Sequence, residues 1–385
     1  MITKEEITNK ALKACTDAAN AVLQINACIV EAIDAAYALG LAEGKASSQQ
    51  SDASSQQPTA NSQQPSLAAI ECPLTNSAVS GFLSDPSYDA PGFATSSGKS
   101  VVRNYCSDVI SDKYATNWIE HPLPVKIGDR SYYNLVPGRE YTLDGRLVRT
   151  TGTLRQIHFP DAATAVGNCR DIGGYKCDGG HVAYERLIRS ARLPEGLTYN
   201  STTAATLRDI GITCEIDLRG VSAYTNLGWS GLKVSVYGYA QAVTDVAGMK
   251  TVFTRIINEA KKGGCVLLHC SAGADRTGTV VAALLGYLGV SEADVIKDWE
   301  VTTFSYWFNT KEIHQWAERI ADPKMKATAL KEFPKGELRE FFQAMASAFG
   351  KSCPTFQTQC AAWLTQRVGL TTSQLSDLKK AFIAP

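Results

Sequence analysis

The most informative stretch of the chain is residues 265–278, which read Cys-Val-Leu-Leu-His-Cys-Ser-Ala-Gly-Ala-Asp-Arg-Thr-Gly. The apolar run from Cys265 to His269 predicts a buried strand, and the run from Thr277 to Val290 predicts a helix. Between them, five residues separate the thiol of Cys270 from the guanidinium of Arg276. Successive N–H groups of such a loop can turn toward one point and bind an anion, and the helix N-terminus adds partial positive charge. The stretch therefore predicts an anion site between a strand and a helix.

The residue types in this loop indicate which reaction a bound phosphate would undergo. Cys270, as a thiolate, can attack phosphorus and form a covalent phosphocysteine. Arg276 can hold two phosphate oxygens in a planar fork through the transition state. His269 is expected to orient the loop and favour the thiolate, and the Thr277 hydroxyl can hydrogen-bond the sulfur as it leaves. Asp275 is the first candidate for protonating the leaving oxygen.

The phosphate itself would be held mainly by the loop backbone. We expect it to be bound by the successive residues Ser271, Ala272, Gly273, Ala274, Asp275 and Arg276. The histidines outside the loop, His121, His158, His181 and His314, lack the spacing of metal ligands. We therefore expect a site with no metal and no cofactor.

The string from His269 to Gly278 resembles the signature of the cysteine-dependent protein tyrosine phosphatase superfamily. Residues 168–175, Asn-Cys-Arg-Asp-Ile-Gly-Gly-Tyr, are followed by Leu187-Ile-Arg-Ser190 and Glu215-Ile-Asp-Leu-Arg219. These segments resemble the bacterial tyrosine-specific and lipid phosphatase branch of that superfamily. The resemblance covers about residues 160–385. It implies an α/β domain, with a parallel-type sheet of four or five strands flanked by helices, and metal-independent hydrolysis of phosphomonoesters.

Two positions depart from the pattern of that branch. Cys169 replaces a phenylalanine, which we expect to alter packing only. Ala274 stands where many lipid-acting relatives have a lysine, so one cation that would hold a polyanionic head group is absent. The loop thus favours phosphotyrosine-like substrates or small phosphomonoesters. A phosphoinositide or inositol phosphate phosphatase, and a non-catalytic phosphate-binding or assembly protein, remain the alternatives.

Four charged residues outside the loop are expected to support it rather than to touch substrate. Arg170 and Asp171 lie beside a Gly-Gly pair and would brace a turn, and Asp217 and Arg219 would form an ion pair at the end of a buried strand. Asp245 is a second candidate for the general acid, although helix N-capping is its simpler role.

Composition limits the possible partners and the compartment. Lys plus Arg and Asp plus Glu balance at 38 each, so no overall field would attract nucleic acid or an anionic membrane. The 11 cysteines include a nucleophile that works only when reduced, and the charged N-terminus lacks the apolar core of a signal peptide. Since no run of 18 apolar residues occurs, we expect a cytoplasmic protein without an integral membrane segment, with export by another route left open.

Four regions are predicted along the chain. Residues 1–45 are Ala-rich and begin with the capping box Thr3-x-x-Glu6, which predicts a helix for attachment or self-association. Residues 46–66 repeat Ser and Gln and predict a flexible linker. Residues 159–385 would form the phosphatase-like catalytic domain, with strands near 214–218, 233–236 and 265–269. In its C-terminal third, apolar residues at helical spacing predict helices over 309–320, 335–349, 357–368 and 371–382, the last with a Thr371-x-x-Gln374 cap.

The remaining region, residues 67–158, is rich in turns and short strand-like runs, such as those over 131–134 and 146–150. Its segment Leu135-Val-Pro-Gly-Arg-Glu-Tyr141 is similar to the tyrosine corner of fibronectin type III domains, in which the Tyr hydroxyl ties a loop to the backbone. We therefore expect a small all-β sandwich before the catalytic domain.

Overall fold

The computed structural model describes residues 69–96, 119–221, 226–305, 321–324 and 337–385. These residues belong to one compact unit, Ser66–Pro385. The expected helix over residues 1–45, the linker over 46–66 and a C-terminal helix expected over 309–320 lie outside the described residues, and they stay predictions.

Short strands alternate with helices along the described chain. The strands are β1 (Ile70–Pro73), β2 (Val125–Ile127), β3 (Arg130–Tyr132), β4 (Glu140–Leu143), β5 (Arg146–Thr151), β6 (Arg170–Asp171), β7 (Lys176–Cys177), β8 (Gly180–Val182), β9 (Leu187–Ser190), β10 (Ile212–Asp217), β11 (Ser230–Lys233), β12 (Cys265–His269) and β13 (Ile383–Ala384). The α-helices are α1 (Ser77–Leu83), α2 (Phe93–Ser96), α3 (Thr202–Asp209), α4 (Tyr239–Thr244), α5 (Met249–Lys261), α6 (Asp275–Leu288), α7 (Glu292–Glu300), α8 (Glu337–Phe349), α9 (Phe356–Ala362) and α10 (Thr372–Phe382).

A five-stranded sheet in the order β11-β10-β12-β9-β6 forms the centre of the domain. The first four strands are parallel, and β6 pairs antiparallel with β9 at one edge. All five residues of β12 are buried, as expected for a central strand covered on both faces. The predicted parallel-type sheet flanked by helices is thus confirmed. The strand expected over 233–236 lies three residues earlier in the structure, because β11 runs from Ser230 to Lys233.

The side chains of β12 alternate between two cores. Val266 and Leu268 pack into the large core that contains α5 and α6, and Cys265 and Leu267 pack into a smaller core on the other face, together with Leu207 of α3. The register places His269 opposite Asp217 and Ser190, at the carboxyl ends of three neighbouring strands. Ligand sites of parallel sheets lie at this edge.

The region before residue 159 is built differently from the expected sandwich. Its strands form the three-stranded sheet β1-β5-β4 and the separate β2-β3 ribbon. Residues 77–96 contain the short helices α1 and α2 with a 3-10 helix, Pro86–Asp89, between them, and Phe82 and Tyr88 are buried in the large core shared with α6 and α7. The fibronectin type III-like sandwich is therefore not confirmed, because the aromatic side chains of this segment pack against the helices that follow β12.

One local element of the expected sandwich motif is present. The Tyr141 hydroxyl accepts a hydrogen bond from the Val136 N–H at 2.9 Å, and so ties the loop before β4 to the backbone. The two partners of this corner are only five positions apart in the sequence. It forms here in a region where the β2-β3 ribbon and the three-stranded sheet share a small buried cluster of Val125, Ile127 and Val148.

The C-terminal helices follow the sequence pattern closely. The predicted Thr371-x-x-Gln374 cap is a complete capping box at the start of α10, and α8 matches the expected helix over 335–349 to within two residues. The helix expected over 357–368 is instead divided into α9 and a π-helical segment, Trp363–Arg367. No helix in the described ranges is long and apolar enough to span a bilayer.

Candidate active site

The loop between β12 and α6 has a tightly constrained backbone. Cys270 follows the last residue of β12 and is 2% exposed. Gly273 has φ 71°, and a Cβ at this position would clash with the Ser190 carbonyl at the end of β9. Only glycine satisfies both conditions without strain. The chain therefore passes from the buried thiol to the N-terminus of α6 in a single compact turn.

The carbonyl oxygens of this loop point away from its centre, into hydrogen bonds with neighbouring segments. The donors are the Arg192 N–H to Ser271 O (2.9 Å), the Asn168 side-chain amide to Ala272 O (2.9 Å) and the Arg189 guanidinium to Gly273 O (2.8 Å). In a planar trans peptide the N–H points opposite to the C=O. The N–H groups that share these three peptides, those of Ala272, Gly273 and Ala274, donate no hydrogen bond within the described chain. The loop thus directs a set of free donors toward one side, which is how a backbone nest binds an anion.

Arg276, in the first turn of α6, is half-buried. No hydrogen bond or ion pair of its guanidinium is made within the described residues. Thr277, the next residue, is fully buried, and its hydroxyl likewise has no partner among the side chains and backbone described. Two polar groups in the first turn of α6 are therefore available to a ligand.

A buried carboxylate in α7, Asp298, connects the two side chains that support the loop. The guanidinium of Arg189 donates to its Oδ2, and the Nε of Arg170 lies 3.6 Å from its Oδ1. Arg170 also donates to the Asp298 backbone carbonyl at 2.6 Å and to the Asn168 side-chain oxygen. Burial, followed by the charge of Arg189, lowers the pKa of Arg170 to about 10, so it is still protonated at neutral pH. Two arms thus run from one carboxylate to Ala272 and Gly273.

Asp171 has a separate role beside this network. Its carboxylate accepts from the N–H groups of Gly173 (2.9 Å) and Glu185 (2.8 Å) and from Arg155 (3.3 Å). Burial raises the pKa of Asp171, and Arg155 and the backbone donors act in the opposite direction. The structure places Asp171 away from the loop, as a brace of the turn that follows β6.

His269 is fully buried at the end of β12. Its Nε2 lies 3.0 Å from Oε1 of Glu215, whose other oxygen accepts from Trp229 at 3.2 Å. Its backbone carbonyl accepts from the Leu218 N–H at 2.9 Å. Since a carboxylate only accepts, Nε2 donates this hydrogen bond, and Nδ1 lies 3.4 Å from the Cys270 carbonyl oxygen. Glu215 therefore sets the orientation of the ring that precedes Cys270.

Asp217 and Arg219 pair with each other at the end of β10. The Arg219 guanidinium donates to both oxygens of Asp217, at 3.0 Å and 2.7 Å. Burial acts to raise the pKa of Asp217, but hydrogen bonds from Arg219 and the nearby His269 lower it below its usual value. The pair borders the edge of the sheet where the loop lies.

Asp275 is the first residue of α6 and is half-buried. The Tyr239 hydroxyl donates to its Oδ1 at 2.5 Å. Burial raises the pKa of Asp275, against the opposing effects of Tyr239 and the Arg276 charge. A carboxyl group with a raised pKa at the end of the loop that begins with Cys270 is suited to donating a proton near neutral pH.

Asp245 is not a helix N-cap, contrary to expectation. It is the C-cap of α4 and accepts from the Ala247 N–H at 3.1 Å, and α5 begins at Met249 after the cap Gly248. Among the described residues, no cluster of three or more His, Cys, Asp or Glu side chains is arranged to bind a metal ion.

Several residues that contact the loop were given no role by the sequence. Arg189 and Glu215 lie within quoted motifs, but nothing in the sequence relates them to a loop carbonyl or to His269. Asp298 and Tyr239 carry no motif at all. Asp298 supports the loop through Arg189, which lies 109 residues before it, and Tyr239 contacts Asp275 across 36 residues. Sequence spacing cannot show such tertiary contacts.

The fold and the loop together define an α/β domain with a thiol-containing anion site at the carboxyl edge of its sheet. A model of the tyrosine phosphatase family matches residues 162–384, more than half of the chain. The chain belongs to the tyrosine phosphatase family. The tyrosine-protein phosphatase of Nostoc commune is 42% identical over 53 residues, which are 14% of this chain and 17% of that relative. The chain thus aligns with less than a fifth of that relative's length.

Proposed function

We propose that the chain is a metal-independent phosphomonoester hydrolase that acts on phosphotyrosine or a similar aryl phosphate through a phosphocysteine. The observation that carries this proposal is the loop backbone, where three successive carbonyls are held outward and the N–H groups face the other side, next to a buried Cys270. Membership in the tyrosine phosphatase family supports the same reaction class.

In the first step the Cys270 thiolate attacks phosphorus, so that an S–P bond forms while the P–O bond to the leaving group breaks. The loop N–H groups and the Arg276 fork stabilise the charge on the equatorial oxygens. Asp275 gives its proton to the leaving oxygen, which departs as the neutral alcohol or phenol. The raised pKa of Asp275 suits this role.

In the second step a water molecule attacks the phosphocysteine. The Asp275 carboxylate takes a proton from the water, the S–P bond breaks, and inorganic phosphate is released with Cys270 again a thiolate. The buried hydroxyl of Thr277 has no other partner in the described chain and would hydrogen-bond the departing sulfur. His269, held by Glu215, keeps the end of β12 in place during both steps.

Ala274 supports a singly phosphorylated substrate over a polyanionic lipid head group. It is fully buried at the N-cap of α6, so Arg276 is the one cationic side chain within the loop. Rates on a phosphotyrosine peptide and on soluble phosphoinositides, measured side by side, test this choice. A clear preference for the phosphoinositides would replace the tyrosine phosphatase assignment by the lipid one.

Hydrolysis of 4-nitrophenyl phosphate in the presence of a chelator tests the reaction itself. We expect turnover by the unchanged chain and none by Cys270→Ser. Cys353→Ser is the matched control, because Cys353 is a partly exposed thiol in the turn between α8 and α9, and it should keep full activity. If the unchanged chain binds tungstate but turns over no aryl phosphate, the chain is a phosphate-binding protein instead.

A further inference from the structure

Tyr239 has a backbone conformation that its residue type disfavours. It is the first residue of α4 and has φ 50°, in the left-handed region that side chains with a Cβ rarely adopt. Non-glycine residues held in this region tend to cluster at functional sites, where surrounding contacts maintain them. The contacts that hold Tyr239 therefore indicate what the conformation is for.

Two hydrogen bonds connect Tyr239 to the first turn of α6. Its N–H donates to Thr279 Oγ1 at 2.8 Å, and the Thr279 hydroxyl donates in turn to the Asp275 backbone carbonyl at 2.8 Å. Its hydroxyl donates to Asp275 Oδ1 at 2.5 Å. Tyr239, Thr279 and Asp275 thus form a closed ring of hydrogen bonds.

The chain beside Tyr239 also lies directly against the loop. A Cβ on Gly238 would be 3.3 Å from the Asp275 carbonyl carbon and 3.4 Å from the Arg276 N. The Tyr239 ring packs edge-on against Trp299 of α7, with centroids 6.3 Å apart. The position of the Tyr239 hydroxyl is therefore fixed by the backbone at the start of α4 and by contacts with α6 and α7.

We propose that Tyr239, held by Thr279, is a positioning residue that fixes which oxygen of Asp275 carries the proton. Because Oδ1 accepts from the Tyr239 hydroxyl, a protonated Asp275 carries its proton on Oδ2. A single defined donor atom then faces the leaving group. This inference rests on the proposed function, since it concerns the general acid of that reaction.

The charged and titratable groups around Asp275 agree with this arrangement. Tyr239 from α4 and Arg276 on α6 both favour the carboxylate, and burial favours the neutral acid. Loss of the Tyr239 hydroxyl should therefore raise the pKa of Asp275 further. The acid would be present in a larger fraction of molecules, but its proton would no longer be confined to Oδ2.

The test is Tyr239→Phe in the full chain, with aryl phosphates whose leaving groups range from phenol to dinitrophenol. We expect kcat to fall about tenfold or more for phenyl phosphate and less than about twofold for 2,4-dinitrophenyl phosphate, which needs little protonation. KM should change little, and the basic limb of the pH profile should move to higher pH. Thr279→Val should give the same leaving-group dependence.

Tyr287→Phe is the matched control, because the Tyr287 hydroxyl is also bonded within the domain, to the Leu375 carbonyl at 3.0 Å, but away from the loop. It should show no dependence on the leaving group. Equal losses of Tyr239→Phe on all substrates, or no loss on any, would overturn the inference while leaving the proposed function intact. An unchanged chain that is inactive even on the dinitrophenyl ester would instead overturn the proposed function and this inference with it.

Discussion

The two sides of the catalytic loop are built in opposite ways. On the inner side, the loop N–H groups, the Arg276 guanidinium and the Thr277 hydroxyl have no hydrogen-bond partner within the described residues. On the outer side, each carbonyl from Ser271 to Gly273 is bonded, and the donors to Ala272 and Gly273 lead back to the buried carboxylate of Asp298. The difference shows a division of roles, because the outer contacts hold the backbone in the one shape that leaves the inner donors directed at a ligand.

Removing an outer contact should have the largest effect on stability. Arg189→Met leaves Asp298 with a weaker set of partners and frees the Gly273 carbonyl, and loss of one partner of a buried ion pair costs about 3–5 kcal/mol. Urea unfolding measures the change. Arg149→Met removes an exposed surface pair with Glu140 and is the control, with little expected change in the free energy of unfolding. Similar costs for both variants would contradict the assigned role of the outer network.

Changing an inner contact should lower activity without changing stability. Arg276→Lys keeps the charge but loses the planar fork, so we expect kcat to fall by about 10²–10³, typical of a lost transition-state donor. The unfolding midpoint should stay within error of the unchanged chain. A variant that loses stability along with activity would indicate that Arg276 also supports the fold.

A substitution within the loop backbone should affect both sides at once. Gly273→Ala would strain the left-handed backbone by about 1–2 kcal/mol and push the loop from the Ser190 carbonyl. We expect weaker tungstate binding and a lower melting temperature together. Gly263→Ala is the control, since Gly263 also has a positive φ of 79° but its Cβ would meet open space. Loss of tungstate binding in Gly263→Ala would show that backbone strain at a positive φ, without the clash at Ser190, accounts for the weaker binding of Gly273→Ala.

The Asp217 and Arg219 pair should give the smallest effect, visible as a pH dependence of stability. Although burial alone would raise the pKa of Asp217, Arg219 and His269 lower it, so the carboxylate contributes stability above its unfolded pKa of about 3.9 and loses it as the pH falls. Asp217→Asn should therefore destabilise the chain near neutral pH. The difference in the free energy of unfolding between this variant and the unchanged chain should narrow toward pH 4 and below. Asp209→Asn, an exposed carboxylate in α3, should show no such narrowing.

The inner side was largely foreseeable from the sequence, and the outer side was not. β12, the turn at Gly273 and the start of α6 lie within 14 consecutive residues, so composition and spacing predict their arrangement. Arg189, Asp298 and Tyr239 reach the loop only through the packing of β9, α7 and α4. Local patterns carry no information about such contacts between distant segments.

The region before residue 159 shows the same limit. Strands were predicted near Ser131–Asn134 and Arg146–Thr150, and β3 and β5 lie there. The helical segment over 77–96 was not foreseen, because α1 has seven residues and α2 has four, too few for a helical period to be read. The partner of Phe82 and Tyr88 is the core of the catalytic domain, which the local pattern could not identify.

Detection of a phosphoryl group on Cys270 tests the proposed phosphocysteine mechanism most directly. Asp275→Asn should slow the second step, in which a base activates water, so that acid quenching during turnover of an activated aryl phosphate traps the phosphoenzyme. We expect peptide mass spectrometry to find one phosphoryl group on the peptide that contains Cys270, and none when Cys270→Ser is added. A phosphoryl group on any other residue, or turnover with no label at any quench time, would contradict a phosphocysteine mechanism.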